Sequence, residues 1–142
     1  MAALRGMIFV ALVIVIMDWM VKFSHHWFSG WWIPHRTERP VLMTLTLLLV
    51  IMTLVVCYIR SPLATLGAGL VLGGSFANLI DLAVTGVVWD MIPLPGSDIM
   101  FNLADACIFT GGVFLTLSVC GLLGEAFMPD GLKNLQRESQ QS

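Results

Sequence analysis

Long apolar segments alternate with short polar ones along this chain of 142 residues. An α-helix needs about 20 mostly apolar residues to cross the hydrocarbon layer of a membrane. Prolines, glycines and charged residues divide the chain into four segments of that kind, residues 7–23, 41–59, 63–84 and 102–123. The pattern therefore predicts an all-α membrane protein with four transmembrane helices.

The composition supports a single membrane-embedded domain. Hydrophobic residues make up 58% of the chain, charged residues make up 11%, and the mean hydropathy is +0.90, whereas a soluble domain has about 25% charged residues. The net charge of −2 argues against a nucleic-acid partner, and membrane lipids are the expected surroundings. We expect residues 1–128 to form the transmembrane domain and residues 129–142 to form a polar, disordered cytoplasmic tail.

Four spans would place both termini on the same side of the membrane. Basic residues are slightly more numerous on that side than on the other. They are Arg5, Arg60, Lys133 and Arg137, against Lys22, Arg36 and Arg39. Because lysine and arginine favour the cytoplasmic side, this distribution predicts cytoplasmic termini. The loop between the third and fourth spans then faces outward.

The short outer loop between the first two spans, residues 24–40, is rich in tryptophan. It contains Trp27, Phe28, Trp31 and Trp32, beside His25, His26 and His35. These aromatic residues fit either a belt at the lipid headgroups or a flap that lies on the membrane over a site. No metal site is expected, because two of the histidines are adjacent and a helical zinc site uses an i, i+4 pair.

Polar residues near the ends of the predicted spans are the main candidates for chemistry. In the predicted topology they all lie at one face of the membrane: Asp18, Asn78, Asp81, Asp90, Asn102 and Asp105. Only one basic residue, Lys22, has the helical spacing to pair with them, four residues after Asp18. Carboxylates clustered at low dielectric cannot all ionise, so one keeps its proton. Two carboxylates that share one proton form the working pair of an aspartic protease.

Structural interpretations of the same residues stay open. Asp18 and Lys22 fit a simple interfacial ion pair, with the lysine reaching outward. Asn102 fits a helix N-cap, with Asp105 in the first turn, where the helix dipole favours a carboxylate.

Three segments resemble, in order, the motifs of lipoprotein signal peptidase, the signal peptidase II family. They are residues 73–81 (GGSFANLID), 86–90 (GVVWD) and 101–105 (FNLAD). Asp18 and Lys22 also match an Asp-x-x-x-Lys near the end of the family's first helix. By this resemblance Asp90 and Asp105 are the catalytic pair. The resemblance implies a supporting or substrate-binding role for Asn78, Asp81, Asn102, Asp18 and Lys22.

The resemblance implies an aspartic endopeptidase of the bacterial inner membrane with its active site at the outer face. Its substrate would be a prolipoprotein, cleaved between the signal peptide and a lipid-modified cysteine, and no cofactor or metal would be needed. An active pair would hold its carboxylates about 3–6 Å apart, in a groove open to lipid.

The chain departs from the family pattern in the parts that hold substrate. Leu82 stands where the family has arginine, and Met91 stands where phenylalanine is usual. Residues 24–40 contain no asparagine, although the longer outer segment of the family has an N-x-G-x-x-F-like motif. An alternative is therefore a catalytically impaired relative that serves as a small accessory subunit of a membrane protein complex. A transport or proton-relay subunit is a third interpretation, since buried carboxylates also carry protons.

Overall fold

The computed structural model describes residues 2–28, 33–35 and 61–127, with isolated positions at 47, 50 and 54. Three helices occupy most of these residues: α1 (Ala2–Phe28), α2 (Pro62–Thr85) and α3 (Leu103–Phe127). Each is long and apolar enough to cross a membrane, and they correspond to the first, third and fourth predicted spans. The predicted second span, 41–59, lies outside the described residues except at the isolated positions, as does most of the Trp-rich loop.

The first helix extends further than the sequence pattern predicts. The predicted loop begins at Ser24, whereas α1 continues to Phe28. Residues 24–29 contain no proline or glycine, so nothing in this segment removes a backbone hydrogen bond or favours a left-handed conformation.

Two glycines on one face of α2 allow it to pack closely against α1. A Cβ atom added at Gly69 would lie 2.7 Å from Val10 Cβ, and one added at Gly73 would lie 2.8 Å from Ile14 Cβ. Small residues at a helix interface let two backbones approach in this way. Because the contacts advance in the same direction along both helices, α1 and α2 run parallel.

A second face of α2 packs against α3 in the opposite sense. A Cβ atom at Gly67 would lie 2.9 Å from Phe114 Cβ, and one at Gly74 would lie 2.8 Å from Ile108 Cγ1. The contacts advance along α2 and retreat along α3, so these two helices are antiparallel. The helix α2 therefore lies between α1 and α3. The C-terminal ends of α1 and α2 and the N-terminal end of α3 lie at the same end of the bundle. We call this the site end.

Both ends of α2 are set by local chemistry. Ser61 is the N-cap and accepts a hydrogen bond from the Ala64 N–H at 3.0 Å, and Pro62 opens the first turn. Gly86 closes the helix at φ 77°, and its N–H donates to Leu82 O at 3.0 Å. This left-handed conformation favours glycine, and it turns the chain directly into the next strand.

Four short strands lie at the site end. The strand β1 (Ile33–His35) pairs antiparallel with β2 (Val88–Asp90), and β3 (Ile92–Pro93) pairs antiparallel with β4 (Met100–Phe101). The all-α prediction omitted them. Strands of two or three residues are too short to show the alternation of apolar and polar residues that identifies a strand in a sequence.

Candidate active site

All seven candidate residues lie together at the site end. Six of them are buried: Asp18, Lys22, Asn78, Asp81, Asp90 and Asn102. The seventh, Asp105, is half-buried. A buried charge or amide is expensive unless it is paired or hydrogen-bonded, so the partners of each side chain define what the cluster can do.

Asp90 is the last residue of β2, and two strand pairings hold it in place. Its register partner is Ile33 of β1. Immediately after Asp90, the Met91 N–H donates to Phe101 O at 3.2 Å, and β3 and β4 continue this pairing. The chain therefore leaves Asp90 and folds back on itself, which brings Asn102 beside Asp90.

Asn102 and Asp105 form a reciprocal cap at the start of α3. The Asp105 N–H donates to Asn102 Oδ1 at 2.9 Å, and the Asn102 N–H donates to Asp105 Oδ2 at 3.2 Å. This arrangement matches a capping box, in which two side chains satisfy helix N–H groups that lack a partner within the helix. The N-cap interpretation and the site interpretation thus describe the same two residues.

A chain of two amides links the two candidate catalytic carboxylates. Asn102 Nδ2 donates to Asp90 Oδ1 at 2.9 Å and to Asn78 Oδ1 at 3.0 Å. Asn78 Nδ2 in turn donates to Asp105 Oδ1 at 2.7 Å. We call this sequence, from Asp90 through Asn102 and Asn78 to Asp105, the amide bridge. It gives each carboxylate an amide donor.

Three charged side chains form a second group, which we call the ion triad: Asp18, Lys22 and Asp81. Lys22 Nζ lies 2.6 Å from Asp18 Oδ2 and 2.5 Å from Asp81 Oδ2. Asp18 Oδ2 lacks the geometry of a directed hydrogen bond, so its contact with Lys22 is an ion pair. Lys22 is 5% exposed, and the interpretation of an outward-reaching interfacial lysine is therefore wrong.

The ion triad is also bonded to the backbone. Asp18 Oδ1 accepts a hydrogen bond from the Ala104 N–H at 2.9 Å, and Asp81 Oδ2 accepts one from the Trp89 N–H at 3.5 Å. The i, i+4 spacing identified Asp18 with Lys22, but it gave no indication of Asp81 as the second partner of the lysine.

Thr85 is a residue at the site end that the sequence did not single out. Its Oγ1 accepts a hydrogen bond from Trp89 Nε1 at 3.1 Å and lies 2.8 Å from Asp81 O. The threonine thus anchors the indole of Trp89, the residue before Asp90. A threonine in the last turn of a helix is too common to have indicated this contact.

Lysine and arginine are few in the described part of the chain. Leu82, which occupies the position of the expected arginine, is half-buried. Among residues 2–24 and 61–124 the basic side chains are Lys22 and the exposed Arg5. Within the same described residues, no group of three His, Cys, Asp or Glu side chains is arranged to hold a metal ion.

The fold and the site together define an integral membrane protein with a buried carboxylate and amide cluster at one end of a helical bundle. The family model described as "Signal peptidase (SPase) II" matches residues 10–121. This match covers most of the chain, and the chain belongs to that family.

Lipoprotein signal peptidases of known sequence are similar to this chain. The protein of Syntrophomonas wolfei is 46% identical over 81 residues, which cover 55% of this chain and 54% of that protein. The protein of Nitrobacter hamburgensis is 32% identical over 113 residues, which cover 71% of this chain and 65% of that protein. The chain thus spans about half to two thirds of the length of these relatives.

Solved structures show the same fold. A bacterial membrane enzyme determined by the in meso method at 2.3 Å resolution superposes with a TM-score of 0.64 and 16% identity, covering 87% of this chain and 92% of the other. A second, at 1.9 Å resolution, has a TM-score of 0.59 and 18% identity, covering 80% and 91%. At this level of identity the likeness concerns the fold alone.

Proposed function

We propose that this protein is a membrane-embedded aspartic endopeptidase that removes signal peptides from lipid-modified prolipoproteins. Asp90 and Asp105 would form its catalytic pair. The observation that carries the proposal is the amide bridge, which connects these two carboxylates through Asn102 and Asn78. Membership of the signal peptidase II family supports the substrate class.

The proposed reaction uses the two carboxyl groups as acid and base. The ionised carboxylate takes a proton from a water molecule, whose oxygen attacks the scissile carbonyl carbon. The protonated carboxyl donates its proton to the carbonyl oxygen, giving a neutral tetrahedral intermediate. Collapse of this intermediate breaks the C–N bond and transfers a proton to the leaving amine. One proton carried between the two carboxyl groups suffices for the cycle.

The membrane orientation belongs to the same proposal. Both termini would face the cytoplasm, and the site end would face outward at the surface of a bacterial inner membrane. Asp105 is half-buried while Asp90 is buried, so Asp105 would be the member of the pair nearer the surface of the bundle. The signal peptide and its lipid-modified cysteine would approach from the lipid, and no cofactor or metal would take part.

Cleavage of a lipidated prolipoprotein by the full chain in detergent or liposomes tests this proposal. We expect Asp90→Asn and Asp105→Asn each to lower kcat by about 10²–10⁴-fold, because each removes one partner in proton transfer. Asp98→Asn is the matched control, since Asp98 is exposed in the turn between β3 and β4, and it should retain full activity.

Two results would contradict the proposal. Cleavage that persists in both variants would exclude Asp90 and Asp105 as the catalytic pair. A folded wild-type protein that does not cleave would instead favour the catalytically impaired relative, an accessory subunit of a membrane protein complex.

A further inference from the structure

The ion triad contacts the backbone beside both members of the proposed catalytic pair. The Ala104 N–H donates a hydrogen bond to Asp18 Oδ1 at 2.9 Å, and Ala104 lies one residue before Asp105. The Trp89 N–H donates a hydrogen bond to Asp81 Oδ2 at 3.5 Å, and Trp89 lies one residue before Asp90. One carboxylate of the triad thus holds the start of α3, and the other holds the end of β2.

The contact at Ala104 matters because of its position in the helix. The first N–H groups of an α-helix have no carbonyl partner within the helix. Ala104 is the second residue of α3, so its N–H needs an acceptor outside the helix backbone. Asp18 comes from α1, 86 residues away in the sequence, and it therefore ties the start of α3 to α1.

Lys22 joins the two carboxylates that make these contacts. Its Nζ contacts one oxygen of Asp18 and one of Asp81. Among residues 2–24 and 61–124, the other basic side chain is Arg5, which is exposed near the opposite end of α1. Without Lys22, two buried carboxylates would face each other with no described cation between them.

We propose that Lys22 is a positioning residue that sets the spacing of Asp90 and Asp105 through Asp18 and Asp81. The amide bridge links the side chains of the two catalytic aspartates, whereas the ion triad links the backbone segments that carry them. The effect on rate rests on the proposed function, since the spacing matters for catalysis only if the pair cleaves a peptide. The coupling of the two backbone segments through Lys22 does not rest on the proposed function.

Amide hydrogen exchange measured by NMR on the full chain in detergent micelles tests the structural part without a substrate. Lys22→Met keeps the length of the side chain and removes its charge. We expect exchange at both Trp89 and Ala104 to accelerate by about tenfold or more, because a charge-assisted contact no longer opposes local opening. Arg5→Met, the matched removal of a positive charge from α1, should change neither amide.

A second variant covers the case in which Lys22→Met does not fold. Asp81→Asn keeps an oxygen that can accept from the Trp89 N–H but weakens the attraction for Lys22. Exchange at Ala104 should then accelerate, although Ala104 bonds to Asp18 and not to Asp81. Unchanged exchange at Ala104 in a folded variant would overturn the proposal, because the two carboxylates would then act independently.

Steady-state cleavage tests the catalytic part. We expect Lys22→Met to lower kcat by about 10²-fold, the effect of a misplacement of about 1 Å, with little change in KM. Lys22→Arg, which keeps the cation, should recover part of the loss. An effect confined to KM would assign Lys22 to substrate binding and overturn its positioning role. If the wild type cleaves no prolipoprotein, the proposed function fails, and the exchange measurements still decide whether Lys22 couples the two segments.

Discussion

At the scale of single residues, Asn102 combines a structural and a chemical role. Its Oδ1 caps the Asp105 N–H, and its Nδ2 donates to Asp90 and Asn78. The side chain is completely buried, so both of its polar atoms must find partners within the protein. An asparagine meets this requirement because it carries an acceptor and a donor on one planar group.

Substitutions at Asn102 separate these two roles. Asn102→Ser keeps a good N-cap, whereas Asn102→Ala removes the cap. Both remove the amide donor, so we expect a similar loss of peptidase activity in each, by about 10-fold or more. Unfolding in detergent should show the alanine variant to be less stable than the serine variant by about 1 kcal/mol. Equal stability of the two variants, or retained activity in either, would contradict this account.

At the scale of elements, two glycine faces of α2 determine how closely the site residues approach one another. The Gly69 and Gly73 face lets α1 approach, and the Gly67 and Gly74 face lets α3 approach. Gly74 lies against Ala104 O, next to Asp105. The spacing of polar groups on three helices therefore depends on the absence of side chains at a few positions of α2.

A matched pair of glycine substitutions tests this dependence. In Gly74→Ala the new Cβ would overlap the backbone oxygen of Ala104 and would lie 2.8 Å from Ile108 Cγ1, so α3 must shift. We expect a loss of stability of about 1–3 kcal/mol together with lower peptidase activity.

Gly112→Ala is the control, because a Cβ atom at Gly112 of α3 meets no atom of the other described elements within 4 Å. That variant should be equally stable or more stable by up to about 1 kcal/mol, since alanine is the better helix former. Chemical denaturation in detergent measures the free energy of unfolding of both variants and of the wild type. Equal effects of the two substitutions would show that close packing at Gly74 does not position the site.

At the scale of the whole molecule, the directions of the helices decide where the site faces. Because α1 and α2 are parallel and α3 is antiparallel to them, the site residues of all three helices share one end. The exposed turn at residues 95–98 belongs to this end, and Arg5 belongs to the other. The proposed orientation therefore predicts that the turn lies outside the membrane and that Arg5 lies on the cytoplasmic side.

Labelling with a thiol reagent that does not cross membranes checks the orientation in intact cells. In a background in which alanine replaces Cys57, Cys107 and Cys120, we expect Asp98→Cys to react from outside. Arg5→Cys should react only after the membrane is permeabilised, because the first turn of α1 would face the cytoplasm. The reverse pattern would place the site end on the cytoplasmic side.

The sequence by itself determined the class of molecule and the identity of the candidate residues. The length of the apolar segments predicts spans, and three of the four predicted spans correspond to described helices. The pairs Asn78 with Asp81 and Asn102 with Asp105, each three residues apart, and Asp90 between them indicate the site. Polar groups next to hydrocarbon are few in this chain, and each requires a partner.

Only the tertiary structure decided which partners these residues have. Lys22 bonds to Asp81 across 59 residues of sequence, and Asn102 bonds to Asn78 across 24. The pairing of β1 with β2 joins segments more than fifty residues apart in the chain. Helical spacing reports neighbours three or four residues away, whereas these contacts depend on how α1, β2 and α3 meet around α2. The sequence therefore identified the charged residues, and the packing of the helices decided that Lys22 lies between two carboxylates.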